Sequence, residues 1–283
     1  MKQFALSRTN GLIHLPEKVR LIYDLNEALT ADLIVISIPS QKLRDLLCEM
    51  QGTNTAYKDK KFVLCMKGIE IQSKKRLTQV FGEFAFSHHV AVWLGPVHPQ
   101  DFTKGTPNCM VIDSNDNDLK AELANRWNSQ LIRFYIGNDL IGNEIGAAAK
   151  NVIGIAAGVL DGIGQSSLKG ALMSRGTHEI SKLIGAMGGN PISAYGLCHL
   201  GDYEATVFSP YSHNRKFGEM FAKGESFSEL AEGYYTAKAI MLLSEEYKVE
   251  LPICASVYQM LYEGMDIQTG MDRLFQRKLK QEF

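Results

Sequence analysis

The chain has 283 residues, which predicts about two domains and is ample for a sizeable core. Its 30 Lys and Arg against 31 Asp and Glu give a formal charge of −1, which excludes the polybasic surface that nucleic acid or anionic lipid requires. Hydrophobic residues at 45% and charged residues at 22% are ordinary globular values and exclude a disordered chain.

The cysteines and the apolar runs indicate where the protein works. Five cysteines, none in a C-x-x-C pair, are typical of reduced thiols and offer neither a disulfide framework nor a zinc site. The first residues contain no apolar core of the length that a signal peptide needs. The longest apolar or glycine run, Val152–Leu160, is far shorter than the ~20 residues that span a bilayer. We therefore expect a cytoplasmic protein with no membrane span and no metal.

The first half of the chain alternates strand-like runs with helical stretches. Helical periodicity covers Gln41–Met50 and Asp116–Asn128. Strands that are apolar throughout and separated by helices are typical of a parallel sheet covered on both faces. We therefore expect an α/β domain with a Rossmann-like, doubly wound sheet over residues 1–137. The strand-like runs are Asp32–Ile38, Lys61–Met66, His89–Leu94, Asn108–Asp113 and Leu131–Ile136.

After Gly137 the sequence pattern is helical only, with Gly or Pro at the joints. No run there is typical of a strand, so we expect an all-α domain over residues 138–283. The helical segments are Asp139–Leu160, Ser167–Met187, Arg215–Ala222, Phe227–Tyr247 and Pro252–Glu263.

Lys150 lies in a predicted helix, Asn143–Leu160, that is apolar or small on every face. Such a helix is normally buried, and a buried ammonium group must find partners or lose its charge. A lysine that reaches the surface is the commoner arrangement, but the small residues and the adjacent Asn151 favour a functional one. We expect Lys150 to donate or accept a proton.

Lys67 directly follows a strand-like run, and Gly68 comes next. Ligands of open α/β sheets bind beyond the carboxyl ends of the strands, so this lysine is placed to meet one, although an ordinary turn residue explains the same position. Gly95 and Pro96 end the next run in the same way and allow a close backbone approach.

A carboxylate and a basic helix start follow in the second half. Ser212 or Asn214 is expected to cap a helix that begins near Arg215. The N–H groups at that start, flanked by His213, Arg215 and Lys216, form a candidate phosphate-binding site, while a capped surface helix explains the same residues. Asp202 is either a turn residue or the carboxylate that pairs with a buried lysine.

Taken together, the motifs resemble those of bacterial-type NAD(P)-dependent glycerol-3-phosphate dehydrogenases, over nearly the whole chain. Nine motifs in family order carry the resemblance, and this number is far more specific than any one motif. They are LPEKVR at Leu15, DLIVISIPSQKLR at Asp32, MKGIE at Met66, GPVHPQDF at Gly95, NEIGAAAKNVIGIAAGVLDGIG at Asn143, SRGTHEI at Ser174, HLGDYEAT at His199, SHNRKFG at Ser212 and AEGYYTAK at Ala231.

The resemblance implies an enzyme that interconverts dihydroxyacetone phosphate and sn-glycerol 3-phosphate with NAD or NADP, for glycerophospholipid synthesis, as a homodimer. It implies that Lys150 transfers the proton and that Lys67 lies near both nicotinamide and substrate. Hydride delivery to a ketone develops negative charge on oxygen, and we expect Lys67 to stabilise this alkoxide. The implied substrate-binding residues are Lys67, Gly95, Lys150, Asp202, Ser212, His213 and Asn214. The implied cofactor-binding residues are Lys67, Pro99, His213, Leu230 and Glu232.

Some features depart from that family. His213 stands where the family has an arginine, and Val97 and Pro99 stand where it usually has a small polar residue and an alanine. The sequence contains no G-x-G-x-x-G turn, and about 45 residues of the family's N-terminus have no counterpart, so we expect an incomplete dinucleotide-binding sheet. Either the start codon is placed too late, which the intact lysines favour, or the chain is a true truncation that cannot bind NAD(P) normally.

Two other functions stay open at the level of sequence. A related 3-hydroxyacid or ketopantoate-type dehydrogenase would act on carboxylate substrates instead of a phosphate ester. A catalytically silent binding protein that kept the helical domain would tolerate Lys150→Ala without functional loss, whereas the enzyme would lose orders of magnitude in rate.

Overall fold

The computed structural model describes residues 2–53, 55–279 and 281–282. Five strands form one sheet in the order β1-β2-β3-β4-β5. All neighbouring strands run parallel except β3 and β4, which are antiparallel, so the predicted largely parallel sheet is confirmed. The strands are β1 (Leu33–Ile36), β2 (Lys61–Leu64), β3 (Val90–Leu94), β4 (Asn108–Asp113) and β5 (Ile132–Ile136).

Helices cover both faces of this sheet. Phe62 and Leu64 of β2 pack in one apolar cluster with Phe81, while Val63 between them packs in another with Leu123. Successive strand residues point to opposite faces, so this alternation defines three layers. The helices of this half are α1 (Lys2–Ser7), α2 (Leu25–Ala28), α3 (Leu43–Gln51), α4 (Leu77–Gly82), α5 (Pro99–Thr103) and α6 (Asn117–Trp127).

Strand β1 lies at one edge of the sheet. Among the described residues no further strand pairs with β1, and its Val35 is 47% exposed. Residues of parallel sheets are normally buried on both faces, and both edges of this sheet depart from that rule, since Ile136 of β5, at the opposite edge, is 55% exposed.

The second half is helical throughout the part that the structure describes. Its centre is α7, an apolar helix of 23 residues that is long enough to cross a membrane, but 83% of its most apolar window is buried inside the protein. It is therefore the core helix of this half. The helices are α7 (Leu140–Gly162), α8 (Lys169–Ala186), α9 (His213–Ala222), α10 (Glu232–Tyr247), α11 (Pro252–Tyr262) and α12 (Ile267–Phe275).

Two glycines let α7 and α9 touch through their backbones. A Cβ atom on Gly158 would lie 1.8 Å from the Arg215 carbonyl oxygen, and one on Gly218 would lie 2.1 Å from the Ile155 carbonyl oxygen. No larger residue fits at either position without moving the helices apart. This contact fixes the start of α9 over the middle of α7.

Some helix ends differ from the prediction. Helix α10 begins at Glu232 and not at Phe227, because the Phe227 ring packs on His213 and Phe217 from a loop. Helix α12, with Asp266 as its N-cap, was not predicted. The predicted domain boundary between residues 137 and 138 falls in the connection from β5 to α7 and stays a prediction.

Candidate active site

Lys67 extends from the carboxyl end of β2 towards the helical half. Its Nζ donates to the Gly95 carbonyl at 2.7 Å and to Asp202 Oδ2 at 2.7 Å. The side chain is 18% exposed, so the ammonium group is mostly withdrawn from water while it remains reachable. The backbone of Lys67 thus follows a strand of the sheet, and its ammonium group contacts the helical half.

Gly95 fits this contact because of its backbone. Its φ of +126° lies in the region that side chains rarely adopt, and a Cβ there would lie 3.2 Å from the Met110 Cα. The turn after β3 can therefore approach β4 closely and direct a carbonyl at Lys67.

Lys150 lies at the middle of α7, with 7% of its surface exposed. Its Nζ donates to Thr206 Oγ1 at 2.7 Å and lies 3.0 Å from Asp202 Oδ2. Burial lowers the pKa of Lys150 to about 8, an effect that nearby Lys67 increases and the Asp202 carboxylate opposes. A lysine with such a pKa exchanges protons near neutral pH.

Asp202 joins the two lysines. Its carboxylate is fully buried, and Oδ2 contacts both ammonium groups. Oδ1 has no hydrogen-bond partner within the described part of the chain. Buried polar atoms are rarely left unpaired, so Oδ1 is available to a bound molecule.

An irregular segment holds Asp202 in place. It consists of a 3₁₀ turn, Leu200–Asp202, and a π-helical turn, Glu204–Phe208. Such π turns are frequent at functional sites. Thr206 Oγ1 donates to the Asp202 carbonyl at 2.7 Å, so the hydroxyl that accepts from Lys150 is itself oriented by this segment.

His199 anchors the segment to α7. Its Nδ1 donates to the Gly146 carbonyl at 2.8 Å, and the Tyr203 hydroxyl donates to its Nε2 at 2.7 Å. This assignment of the ring proton follows from the partners. Burial lowers the pKa of His199 to about 4, so the ring stays neutral and acts as a structural link.

A chain of amides connects the two halves. Asn151 Nδ2 donates to the Lys67 carbonyl at 3.3 Å, and Asn214 Nδ2 donates to Asn151 Oδ1 at 3.1 Å. The Gly233 N–H then donates to Asn214 Oδ1 at 2.8 Å. The sequence analysis did not assign Asn151 to the site, although a buried amide on an otherwise apolar helix was a usable signal.

A cleft of about 320 Å³ opens beside this chain of amides, between the carboxyl ends of β1 and β2 and the starts of α9 and α10. Several predicted site residues come together on its walls. They are Lys67, His213, Asn214, Leu230 and Glu232.

Glu232 closes one side of the cleft at the start of α10. It accepts hydrogen bonds from the Ser40 N–H, at 2.9 Å, and from the Ser40 hydroxyl. A Cβ on Gly68 would lie 2.4 Å from the Ser40 side chain, so glycine leaves room for this contact. The contact links the end of β1 to the helical half.

At the start of α9, where a phosphate-binding site was predicted, the side chains contact other groups of the protein. Ser212 is the N-cap and accepts from the Arg215 N–H at 3.3 Å. The Arg215 guanidinium contacts Asp161 at 2.8 Å and Glu219 at 3.1 Å, so two carboxylates already face this member of the predicted site. Both contacts are made by Nη1. The contact with Asp161 ties the start of α9 to α7, whereas Glu219 lies on α9 itself.

Two further predicted site residues, His213 and Pro99, are placed less favourably for binding the substrate or cofactor. His213 Nε2 lies 3.1 Å from Glu229 Oε2, and its Nδ1 lies 3.3 Å from the Leu230 carbonyl, so the ring presents no unopposed positive charge to the cleft. Pro99 is exposed at the first position of α5 and does not line the cleft.

Comparison with known proteins gives a consistent result. The family model for the N-terminus of NAD-dependent glycerol-3-phosphate dehydrogenase matches residues 7–120, and the model for the C-terminus matches residues 139–272. A glycerol-3-phosphate dehydrogenase (NAD(P)+) of Prosthecochloris aestuarii is 36% identical over 279 residues, which cover 94% of this chain and 83% of that protein. One from a Thermotoga species is 36% identical over 273 residues, or 94% of this chain and 82% of that protein.

A solved structure agrees with these relatives. The crystal structure of glycerol-3-phosphate dehydrogenase from Coxiella burnetii superimposes with a TM-score of 0.90 at 26% identity. The match covers 98% of this chain and 88% of that one. Both halves of the chain therefore have counterparts in one known arrangement.

Proposed function

Because the chain belongs to the NAD-dependent glycerol-3-phosphate dehydrogenase family, we propose that it interconverts dihydroxyacetone phosphate and sn-glycerol 3-phosphate, with NAD or NADP as the hydride carrier. The observation that carries the proposal is the buried cluster of Lys67, Asp202 and Lys150, in which one carboxylate oxygen contacts two ammonium groups. Reduction of a ketone needs a proton donor and positive charge at the carbonyl oxygen, and this cluster offers both.

The cleft suits the nicotinamide end of the cofactor. It lies beyond the carboxyl ends of β1 and β2, where open α/β sheets bind dinucleotides. Lys67, Leu230 and Glu232 would hold that end of the cofactor, which supplies or accepts the hydride when bound.

Lys150 and Lys67 divide the work at the carbonyl oxygen. As a hydride reaches the ketone carbon, the electron pair of the C=O π bond moves to oxygen. The Lys67 ammonium stabilises this negative charge, and Lys150 gives its proton to the same oxygen to form the alcohol. In the oxidation Lys150 takes the proton back, and the Asp202 carboxylate keeps both ammonium groups together.

The substrate's other groups meet polar atoms at the same place. Asp202 Oδ1 is free to accept from a substrate hydroxyl. Ser212 and Asn214 lie at the start of α9, whose N–H groups favour an anion such as the phosphate. His213 contributes little charge there, because Glu229 faces it.

A spectrophotometric assay of the purified chain tests this function. Oxidation of NADH or NADPH should depend on dihydroxyacetone phosphate and should run at least about tenfold faster than with ketopantoate or a 3-oxo acid, because a phosphate-binding helix start discriminates against them. Preference for a carboxylate substrate would support the related dehydrogenases. Binding of dihydroxyacetone phosphate without turnover in the chain would support a silent binding protein.

We also infer that the protein is a homodimer in the cytoplasm. The family resemblance supports the dimer, and five free cysteines support a reducing compartment. Light scattering should give twice the chain mass of 31.5 kDa.

A further inference from the structure

The helical half contains a second cavity, which shares no lining residue with the cleft at the strand ends. It lies between α7, α8, α11 and α12 and has a volume of about 590 Å³, within the ~300–1,000 Å³ of small-molecule sites. Its walls are mostly apolar, and all four helices contribute aliphatic residues, among them Leu160, Leu172, Val257, Met260 and Met271. The dehydrogenase reaction uses none of these residues.

The mouth of the cavity also presents apolar surface. Phe275, at the end of α12, lines the cavity and is 70% exposed. Met260 and Met271 are unbranched and polarizable, which lets a wall adapt to ligands of differing shape. An apolar cavity with an exposed aromatic residue at its mouth is typical of a binding site for an apolar group.

Positive charges surround this mouth. Arg175, Lys182 and Lys248 are exposed and line it, and none of the three has a carboxylate within ion-pair distance in the described part of the chain. Arg175 Nη1 donates to the Glu282 carbonyl at 3.5 Å. Arg277 does have an acidic partner, Glu250, at 3.0 Å.

Glu179, a buried acid that lines the cavity, already has hydrogen-bond partners in the protein. Glu179 accepts from the Ile253 N–H at 2.8 Å and from the Cys254 N–H at 2.9 Å, and so caps the start of α11. Its charge is offset by that helix end. The mouth of the cavity therefore keeps an excess of positive charge.

We propose that this cavity binds a single-chain alkyl amphiphile with an anionic head group. The alkyl chain fills the mostly apolar cavity, and the head group lies at the mouth, near Arg175, Lys182 and Lys248. A second copy of the chain fits this face less well, because an isologous interface buries the same patch on both subunits and so would bring together two patches with an excess of positive charge. The proposal does not depend on the dehydrogenase reaction.

Calorimetric titration with saturated carboxylates of increasing chain length tests whether the cavity binds the alkyl chain. Affinity should rise roughly fourfold per added methylene until the cavity is full, since each buried methylene contributes about 0.8 kcal/mol. Dodecyl phosphate should bind as well as dodecanoate or better, and the preferred head group identifies the source of the ligand. Dodecyltrimethylammonium should bind at least about tenfold more weakly, because the mouth is cationic.

Variants of the mouth test the site itself. The double variant Lys182→Glu, Lys248→Glu should weaken dodecanoate binding about tenfold or more, while Lys58→Glu, an exposed lysine of the other half, should leave it unchanged. Ala171→Trp, at an exposed position lining the cavity, should block binding and keep the fold.

Three results would overturn the proposal. They are affinity that is independent of chain length, equal binding of the cationic amphiphile, and binding that survives Ala171→Trp. If no amphiphile binds and Ala171→Trp instead turns a dimer into a monomer, the face is an interface between copies of the chain.

Discussion

The two halves of the molecule supply the reactive cluster in opposite ways. The α/β half contributes Lys67 and Gly95 from the ends of strands, where the chain leaves a regular element. The helical half contributes Lys150 from the middle of its core helix and Asp202 from an irregular turn. Residues at strand ends are accessible to a ligand because the regular element stops there. A lysine inside a helical core becomes reactive only because burial shifts its pKa.

The difference in burial between Lys150 and Lys67 affects the charge of the cluster. Lys150 is buried and has a lowered pKa, while Lys67 is partly exposed and meets the cluster from the side of the cleft. Two ammonium groups share one carboxylate, so the cluster retains one positive charge where the sheet meets the helices. An anionic substrate and a developing alkoxide are both stabilised by such a charge.

The largest expected effect separates Lys150 from other buried lysines. Lys150→Met should lower kcat for dihydroxyacetone phosphate reduction by about 10²–10⁴, because the proton donor is lost. Lys169→Met is the matched control, since Lys169 is equally buried but pairs with Asp161 at 2.6 Å. Steady-state kinetics on both variants should show a loss of that size for Lys150→Met only. Equal losses would assign Lys150 a structural role.

A smaller effect is expected at the carboxylate. Asp202→Asn removes the charge that raises the pKa of Lys150, so the alkaline limit of the reduction should move down by about one pH unit or more. The rate near neutral pH should fall about tenfold to a hundredfold. The pH profile of kcat measures both. An unmoved alkaline limit would show that Asp202 does not act on Lys150.

The contribution of the α/β half can be tested at Gly95, whose backbone conformation lets the turn after β3 approach β4. Gly95→Ala should cost about 1–3 kcal/mol of unfolding free energy, because φ is +126° and the new Cβ meets Met110. Gly105→Ala should cost about 1 kcal/mol, since φ is +77° but the space is open. Urea denaturation compares the two. A larger loss at Gly105 would contradict the close approach of the turn.

The smallest effect concerns stability away from the active site. Burial raises the pKa of Glu179 to about 7 from its ordinary 4.5. The folded state therefore binds a proton more tightly than the unfolded state. The stabilisation is complete below about pH 4.5 and is lost as the pH rises through about 7. Relative to Glu179→Gln, the wild type should lose about 1–3 kcal/mol across this window in urea denaturation. Parallel curves for the two proteins would contradict the raised pKa.

The sequence was sufficient for the parts of the site that follow from regular elements. Lys67 was predicted from its place after a strand, and Lys150 was singled out because an all-apolar helix had to bury it. The pairing of Asp202 with a buried lysine was only one of two alternatives, and its second contact, with Lys67, was not predicted, because the turn that carries it has no sequence period. Thr206 and His199 were missed for the same reason. The contact of Arg215 with Asp161 was not predicted, because the two residues are distant in sequence.

The pH dependence of the reaction in both directions tests the central claim most directly, namely that buried Lys150 is the proton-transferring group. Rates should be measured from about pH 6 to 10 in the wild type and in Lys150→Met. With a pKa of about 8, ketone reduction should fall above that pH while alcohol oxidation rises through it, and the variant should lose both transitions. A wild-type profile that stays flat to about pH 10, or a transition that survives in Lys150→Met, would contradict the account.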